Sequence, residues 1–169
     1  MPGGTNAGSM MEKVLLWLSE LPSQYEIYVM AGASEDEHEH AIYSDHKSSI
    51  FIVKDWEVTP EILEKCDISI TSGGVSMCES CASGTPTMAI AQVEHELLNI
   101  EALAKKRAVF SFGSVFELEK ESFLGSFVRV EMSQVFRKIL ANNGRRAIDG
   151  RGKERVIKII KKFWNLHKY

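Results

Sequence analysis

The sequence predicts an α/β fold in which a mostly parallel sheet carries helices on both faces. Three observations predict it. Five short apolar, β-branched runs alternate with segments whose apolar residues recur at helical spacing. A glycine turn, Thr71 to Gly74, stands between a strand and a helix and opens a βαβ unit. The chain has 169 residues, no internal repeat and no linker, which fits one domain over residues 1–169 with a sizeable core.

The elements follow in order. Ser9 or Asn6 caps a helix from Met10 to Leu21, with Val14, Leu15, Leu18 and Leu21 on its apolar side. Tyr25 to Met30 alternates and is β-rich, so it reads as a strand closed by Gly32-Ala33-Ser34. The run Glu35-Asp36-Glu37-His38-Glu39-His40 holds potential metal ligands, but an acidic helix start explains it with less, because negative charge is favoured at a helix N-terminus. Ser49 to Val53 is a second strand. Thr59-Pro60-Glu61 starts a short helix, with proline in its first turn, that ends near Cys66.

Asp67 to Ile70 is a short buried strand, and the turn Thr71 to Gly74 follows it. From Val75, helical spacing places Val75, Met77, Cys78, Cys81 and Ala82 on one buried side. Gly84 ends this helix, Pro86 prevents its return, and Thr87 to Ala91 is the next strand. Helix spacing resumes near Glu94 with Leu97, Leu98, Ile100 and Leu103. Ala108 to Phe112 is the last strand, closed by Gly113-Ser114. Phe116 to Phe127 reads as one or two short helices. Glu131 to Asn142 is a helix that Asn142-Asn143-Gly144 ends. Asp149 to Arg155 leads into a final helix with Val156, Ile157, Ile160 and Phe163 facing inward. Lys158, Lys161, Lys162, Trp164 and Lys168 make that end basic and aromatic, which suits a membrane surface or an acidic partner, although a plain surface helix suffices.

The chemistry concentrates at the glycine turn. Glycines let a ligand approach the backbone, and free N–H groups at the start of the next helix face an anion with the help of the helix dipole. Glu79 lies about one turn further along, where a carboxylate accepts hydrogen bonds from sugar hydroxyls. A tight turn that needs glycine, with Glu79 merely solvated, accounts for the same residues. Cys78 and Cys81 form a C-x-x-C inside a helix with no second ligand pair, so they read as small core residues and not as a redox or zinc site.

The order of Ser72-Gly73-Gly74, Glu79 and Gly84-Thr85-Pro86 resembles the nucleotide-sugar signature in the C-terminal lobe of GT-B enzymes. Within that group it is similar to the N-acetylglucosaminyltransferase of peptidoglycan synthesis, and to the UDP-sugar hydrolase of the pseudaminic acid pathway with its spore-coat polysaccharide relatives. The run from Asp149 to Arg155 resembles the tail of the hydrolase type more. The resemblance implies a Rossmann-like doubly wound sheet. It implies a diphosphate site at Ser72, Gly73, Gly74 and Val75, with Gly3, Gly4 and Thr5 as a first glycine loop. It gives ribose binding to Glu79, donor-sugar contacts to Gln92, His95 and Asn99, and base contacts to backbone around Val53 to Val58. On its own, His95 also reads as a surface residue. The strand that the resemblance places ahead of Gly3 is missing, so the expectation is a truncated chain or a displaced start, with a strand lent by a neighbour as the other reading.

The resemblance implies a lobe that binds a nucleotide sugar, UDP-linked in the family's manner, as part of a glycosyltransferase or UDP-sugar hydrolase in surface polysaccharide or sialic-acid-like sugar biosynthesis. No residue of this chain supplies the general base, so the lobe is inactive without a second, N-terminal lobe in a parent chain or a separate subunit. The other readings are a non-catalytic nucleotide-binding or assembly module, and an unrelated flavodoxin-like or Rossmann-like domain. No cofactor is expected, the UDP-sugar being substrate, and no metal, because no carboxylate pair is arranged to hold one. The net charge of −3 argues against a nucleic-acid partner. A sheet edge left open by the missing strand suits a homodimer. No apolar run spans a bilayer and no signal peptide is evident, which makes the cytoplasm, or its membrane surface, the expected location.

Overall fold

A computed structural model describes residues 7–30, 47–54 and 59–166. In chain order the elements are α1 (Ala7–Ser19), β1 (Glu26–Met30), β2 (Ser49–Val53), α2 (Thr59–Lys65), β3 (Ser69–Thr71) and α3 (Val75–Ser83). Then come β4 (Thr87–Ala91), α4 (Glu94–Ala104), β5 (Phe110–Ser114), α5 (Lys120–Met132), α6 (Gln134–Ala147) and α7 (Gly152–Leu166). Among the described residues every strand pairing is parallel, as the alternation of strand and helix requires. Among the described residues the strands fall into two sheets, β1-β2 and β3-β4-β5.

β4 is the centre of the larger sheet. Its sequence, Thr-Met-Ala-Ile-Ala, has no polar face, and all five residues are buried, as expected of a parallel strand covered on both sides. Met88 and Ile90 point into a cluster with Val14 and Leu18 of α1 and Phe123, Phe127 and Val130 of α5. Ala89 and Ala91 point the other way, against Met77 and Cys81 of α3 and Ile100 and Leu103 of α4. The small residues on that face let α3 and α4 sit close. The register between β4 and β5 slips between Ala89 and Ala91, and Gly113 near the slip takes a φ of 76° that disfavours other residues.

α5 and α6 depart from the sequence expectation. Phe116 to Phe127 does not hold short helices; Lys120–Met132 is one continuous helix, and its Phe123 and Phe127 are buried four residues apart on one side. Asn142-Asn143-Gly144 does not end α6, which runs on to Ala147. Gly144 is there because α6 crosses α3 closely: a side-chain carbon at Gly144 would lie 3.3 Å from the Cys81 backbone. Asn143 donates to the carbonyl of Arg107, so it too is used inside the helix. α7 also differs. Val156, Ile157, Ile160 and Phe163 do not pack inward; the described side chains of α7 are all exposed, Val156 at 55% and Ile160 at 59%. Its start is fixed by Asp149, which accepts from the Arg151 N–H and pairs with the Arg155 guanidinium. Those contacts hold the Asp149 carboxyl below its usual range, at about 2.

Candidate functional site

The turn after β3 is built from short-range packing. Ser72 and Gly73 are buried, and Gly74, which has no side chain of its own to cap with, is the N-cap of α3. The first N–H groups of α3 lie at the carboxyl end of β3, where ligands of open parallel sheets bind. α3 is stopped by Gly84, whose φ of 76° forms a left-handed cap, with its N–H and that of Thr85 closing onto Cys81 and Ser80.

The two glycines have different tasks. A side-chain carbon on Gly73 would lie 2.6 Å from the Glu96 carbonyl oxygen and 2.7 Å from its Cβ. Gly73 therefore admits α4 against the turn. On Gly74 the same carbon would find only Glu96 Oε1 and Ser72 Oγ, each at 3.7 Å. Only Gly74 has room beside it.

Glu96, which the sequence reading did not single out, closes the turn from the α4 side. It is the third residue of α4, is 6% exposed, and accepts from the Gln92 N–H at 2.8 Å. An acidic residue three places into a helix, reaching back to a free N–H, is the signal that would have found it. Asn99 donates from Nδ2 to the Gly73 carbonyl at 3.2 Å, so α4 is tied to the turn a second time.

A cavity of about 820 Å³ opens beside the turn. Ser72, Ser76, Glu79 and Gln92 line its mouth. Two further observations mark this wall as polar and unfinished. Among the described residues, Thr71 Oγ1 and Gln92 Nε2 are buried without a hydrogen-bond partner, and both residues line the cavity. A buried donor or acceptor left unmade costs about 1–3 kcal/mol, which a ligand with hydroxyl or phosphoryl oxygens would recover.

Ser72, Glu79 and Gln92 thus line one cavity, whereas Gly73, Gly74 and Val75, at the start of α3, do not line it. Val75 does not join the buried side of α3; it is 67% exposed. Glu79 is exposed on the cavity rim. His95 is exposed and does not line the cavity, and Asn99 braces Gly73. Gly3, Gly4 and Thr5 lie outside the described residues, as do the run from Glu35 to His40 and positions 55–58 of the base segment. Among the described residues no three His, Cys, Asp or Glu side chains converge as metal ligands.

Cys81 behaves as a core residue, whereas Cys66 and Cys78 are only partly buried. Burial pushes all three thiols up, Cys81 to about 11. Cys81 is 1% exposed, with Sγ 3.9 Å from Thr87 Oγ1. Raised thiols are poor nucleophiles and poor metal ligands. Because Cys81 holds its proton more tightly folded than unfolded, its contribution to stability is complete below about pH 9 and declines as pH rises toward 11.

Parallel strands with helices on both faces, and a glycine turn into a helix at the carboxyl end of β3, give the chain the fold of the C-terminal, Rossmann-like lobe of GT-B glycosyltransferases. Particular relatives support this. MurG of Acinetobacter baumannii superposes with a TM-score of 0.79 at 18% identity, over 96% of this chain and 48% of that one. The glycotransferase of kitacinnamycin gives 0.66 at 16% identity, over 96% of this chain and 41% of that one. In sequence, the chain is 25% identical over 163 residues to the spore coat polysaccharide biosynthesis protein SpsG of Bacillus subtilis strain 168, covering 94% of this chain and 48% of SpsG. No family model matches. The chain spans about half the length of these relatives. No described helix is long and apolar enough to cross a membrane.

Proposed function

We propose that this chain is the nucleotide-sugar-binding half of a two-lobed enzyme that transfers or hydrolyses a UDP-linked sugar. The observation that carries the reading is the unfinished polar lining of the cavity, where Thr71 Oγ1 and Gln92 Nε2 are buried without partners. A nucleotide diphosphate supplies the oxygens that such a wall lacks. The N–H groups of Gly74, Val75 and Ser76 and the dipole of α3 oppose the negative charge that grows on the diphosphate as the anomeric bond breaks. Glu79, on the rim, accepts from the ribose hydroxyls, and Gln92 donates to the sugar. The Glu96 carboxylate sits on the α4 side of the turn, so an anion is better received from the cavity side, where Ser72 and Ser76 line the wall.

The acceptor site and its base belong to a second lobe, in the same polypeptide or another subunit, and the half-length coverage of the relatives supports that division. The relative's name, spore coat polysaccharide biosynthesis, favours surface polysaccharide or a sialic-acid-like sugar as the destination.

Calorimetric titration of UDP into the wild type and Glu79→Ala tests the reading. UDP is expected to bind the wild type, and Glu79→Ala to weaken it about tenfold or more, the scale of a hydrogen bond to a charged group. A wild type that takes up no UDP at millimolar concentration contradicts it.

A further inference from the structure

Among the described residues Glu96 is the only acidic or basic residue that is buried. A carboxylate taken out of water is costly unless a cation or several donors answer it. Among the described residues no Lys, Arg or His pairs with Glu96. Its Oε2 accepts from the Gln92 N–H at 2.8 Å. Further support comes from its place in the first turn of α4, where the helix dipole favours negative charge.

The other carboxylate oxygen bounds the space beside Gly74. A side-chain carbon at Gly74 would have Glu96 Oε1 and Ser72 Oγ as its nearest neighbours, each at 3.7 Å. Gly74 is the N-cap of α3, so the same space adjoins the amides that open that helix. The root of the Glu96 side chain is fixed, because Gly73 closes against its Cβ and carbonyl and Asn99 of the same helix holds the Gly73 carbonyl. A negative charge is thus built in beside the amides that receive an anion.

We infer that Glu96 biases the turn toward a diphosphate esterified at both ends, as in a nucleotide sugar, and against one with a free terminal phosphate, as in a nucleoside diphosphate. This deepens the nucleotide reading proposed above and rests on it. A diphosphate esterified at both ends carries one negative charge on each phosphate. A free terminal phosphate carries one more near neutral pH. The α3 amides attract both ligands, whereas Glu96 repels each in proportion to its charge. The extra charge is therefore what Glu96 selects against. On transfer or hydrolysis the anomeric C–O bond breaks and its electron pair stays with the terminal phosphate oxygen. The sugar passes to a hydroxyl oxygen, which gives up its proton. The diphosphate left behind has gained the charge that Glu96 disfavours, so Glu96 contributes to its release and not to the breaking of the bond.

The test is calorimetric titration of UDP and of UDP-glucose, near neutral pH and at low salt, into the wild type, Glu96→Gln and Glu96→Met. Glutamine keeps the shape and an oxygen for the Gln92 N–H; methionine fills the same space with neither charge nor hydrogen-bond donor. Both variants are expected to bind both ligands more tightly. UDP is expected to gain at least about threefold more than UDP-glucose, the scale of one added charge near a partly screened carboxylate, and that difference is expected to shrink at high salt. A glutamine that merely donated a hydrogen bond would leave the methionine variant without the gain, and that pattern overturns the inference. The same UDP to UDP-glucose ratio in all three chains overturns it too, while leaving the nucleotide reading intact. Absence of binding by either ligand to any of the chains overturns both. If neither variant folds, Glu96 serves the fold alone and the inference is overturned.

Discussion

Gly73→Ala is expected to destabilise the chain by about 1–3 kcal/mol, the cost of forcing an extra carbon into a packed site, whereas Gly74→Ala leaves stability close to that of the wild type. The new carbon of Gly73→Ala would meet the Glu96 carbonyl oxygen at 2.6 Å and Glu96 Cβ at 2.7 Å. The nearest atoms belong to the backbone and first side-chain carbon of α4, so no rotamer change relieves them; α4 itself must move. Its movement would break the Asn99 bond to the Gly73 carbonyl and shift Glu96 from the Gln92 N–H. Thermal unfolding of the two variants measures this, and a loss of about 2–12 °C is expected for Gly73→Ala. UDP titration adds the second half: Gly74→Ala keeps the fold and loses affinity if the diphosphate lies against its backbone. Equal stability for Gly73→Ala and the wild type would show that α4 is not seated on the turn as described.

Phe123→Ala carries the largest expected cost, about 3–5 kcal/mol, the range for emptying a buried aromatic site. Phe123 is fully buried. Its ring lies 4.9 Å from that of Phe112, 5.3 Å from Trp17 and 6.1 Å from Phe127, measured between centroids. It therefore ties α1 to α5 and β5, which lie far from α1 along the chain. Trp17 belongs to the helix that roofs the cavity, so the loss should loosen α1 first. Urea unfolding is the measurement: a lower midpoint with an unchanged slope is expected. A loss below about 1 kcal/mol would mean that α1 and α5 are held by contacts other than this ring cluster.

The part of the fold legible in the sequence is the part whose cause is local. Asp67 to Ala91 reads correctly as strand, glycine turn, helix and strand because each boundary has its own chemistry: two glycines, a left-handed cap at Gly84, and Pro86. β4 is legible because a five-residue run whose one polar member is a threonine at its start has few alternatives. Contacts between distant elements are not legible in that way. Gly73 looks like a place for a ligand, yet the neighbour that demands a glycine is Glu96, 23 residues further on. Asn142-Asn143-Gly144 has the composition of a helix stop, and α6 continues because Gly144 lets it cross α3. The spacing of Val156, Ile157, Ile160 and Phe163 establishes a helix with an apolar side but is silent on what, if anything, covers it; in the structure they are exposed.

The candidate site divides similarly. Ser72, Glu79 and Gln92 reach one cavity wall, and a glycine turn entering a helix is enough to place the first two. Thr71 escaped notice because a strand-end threonine is ordinary; only its unpartnered hydroxyl marks it. Glu96 and Asn99 act on the turn from α4, and that pairing depends on how two helices meet after β4 has passed between them. The division of the strands into two sheets is likewise a tertiary fact.

The central claim is that the amides opening α3 receive a nucleoside diphosphate. Proton–nitrogen NMR of the chain titrated with UDP, with uridine as the comparison, tests it most directly. The account predicts that UDP at millimolar concentration shifts the amides of Gly74, Val75 and Ser76, and that uridine leaves them in place. Identical shifts with uridine, or UDP shifts confined to residues away from this turn, would contradict it.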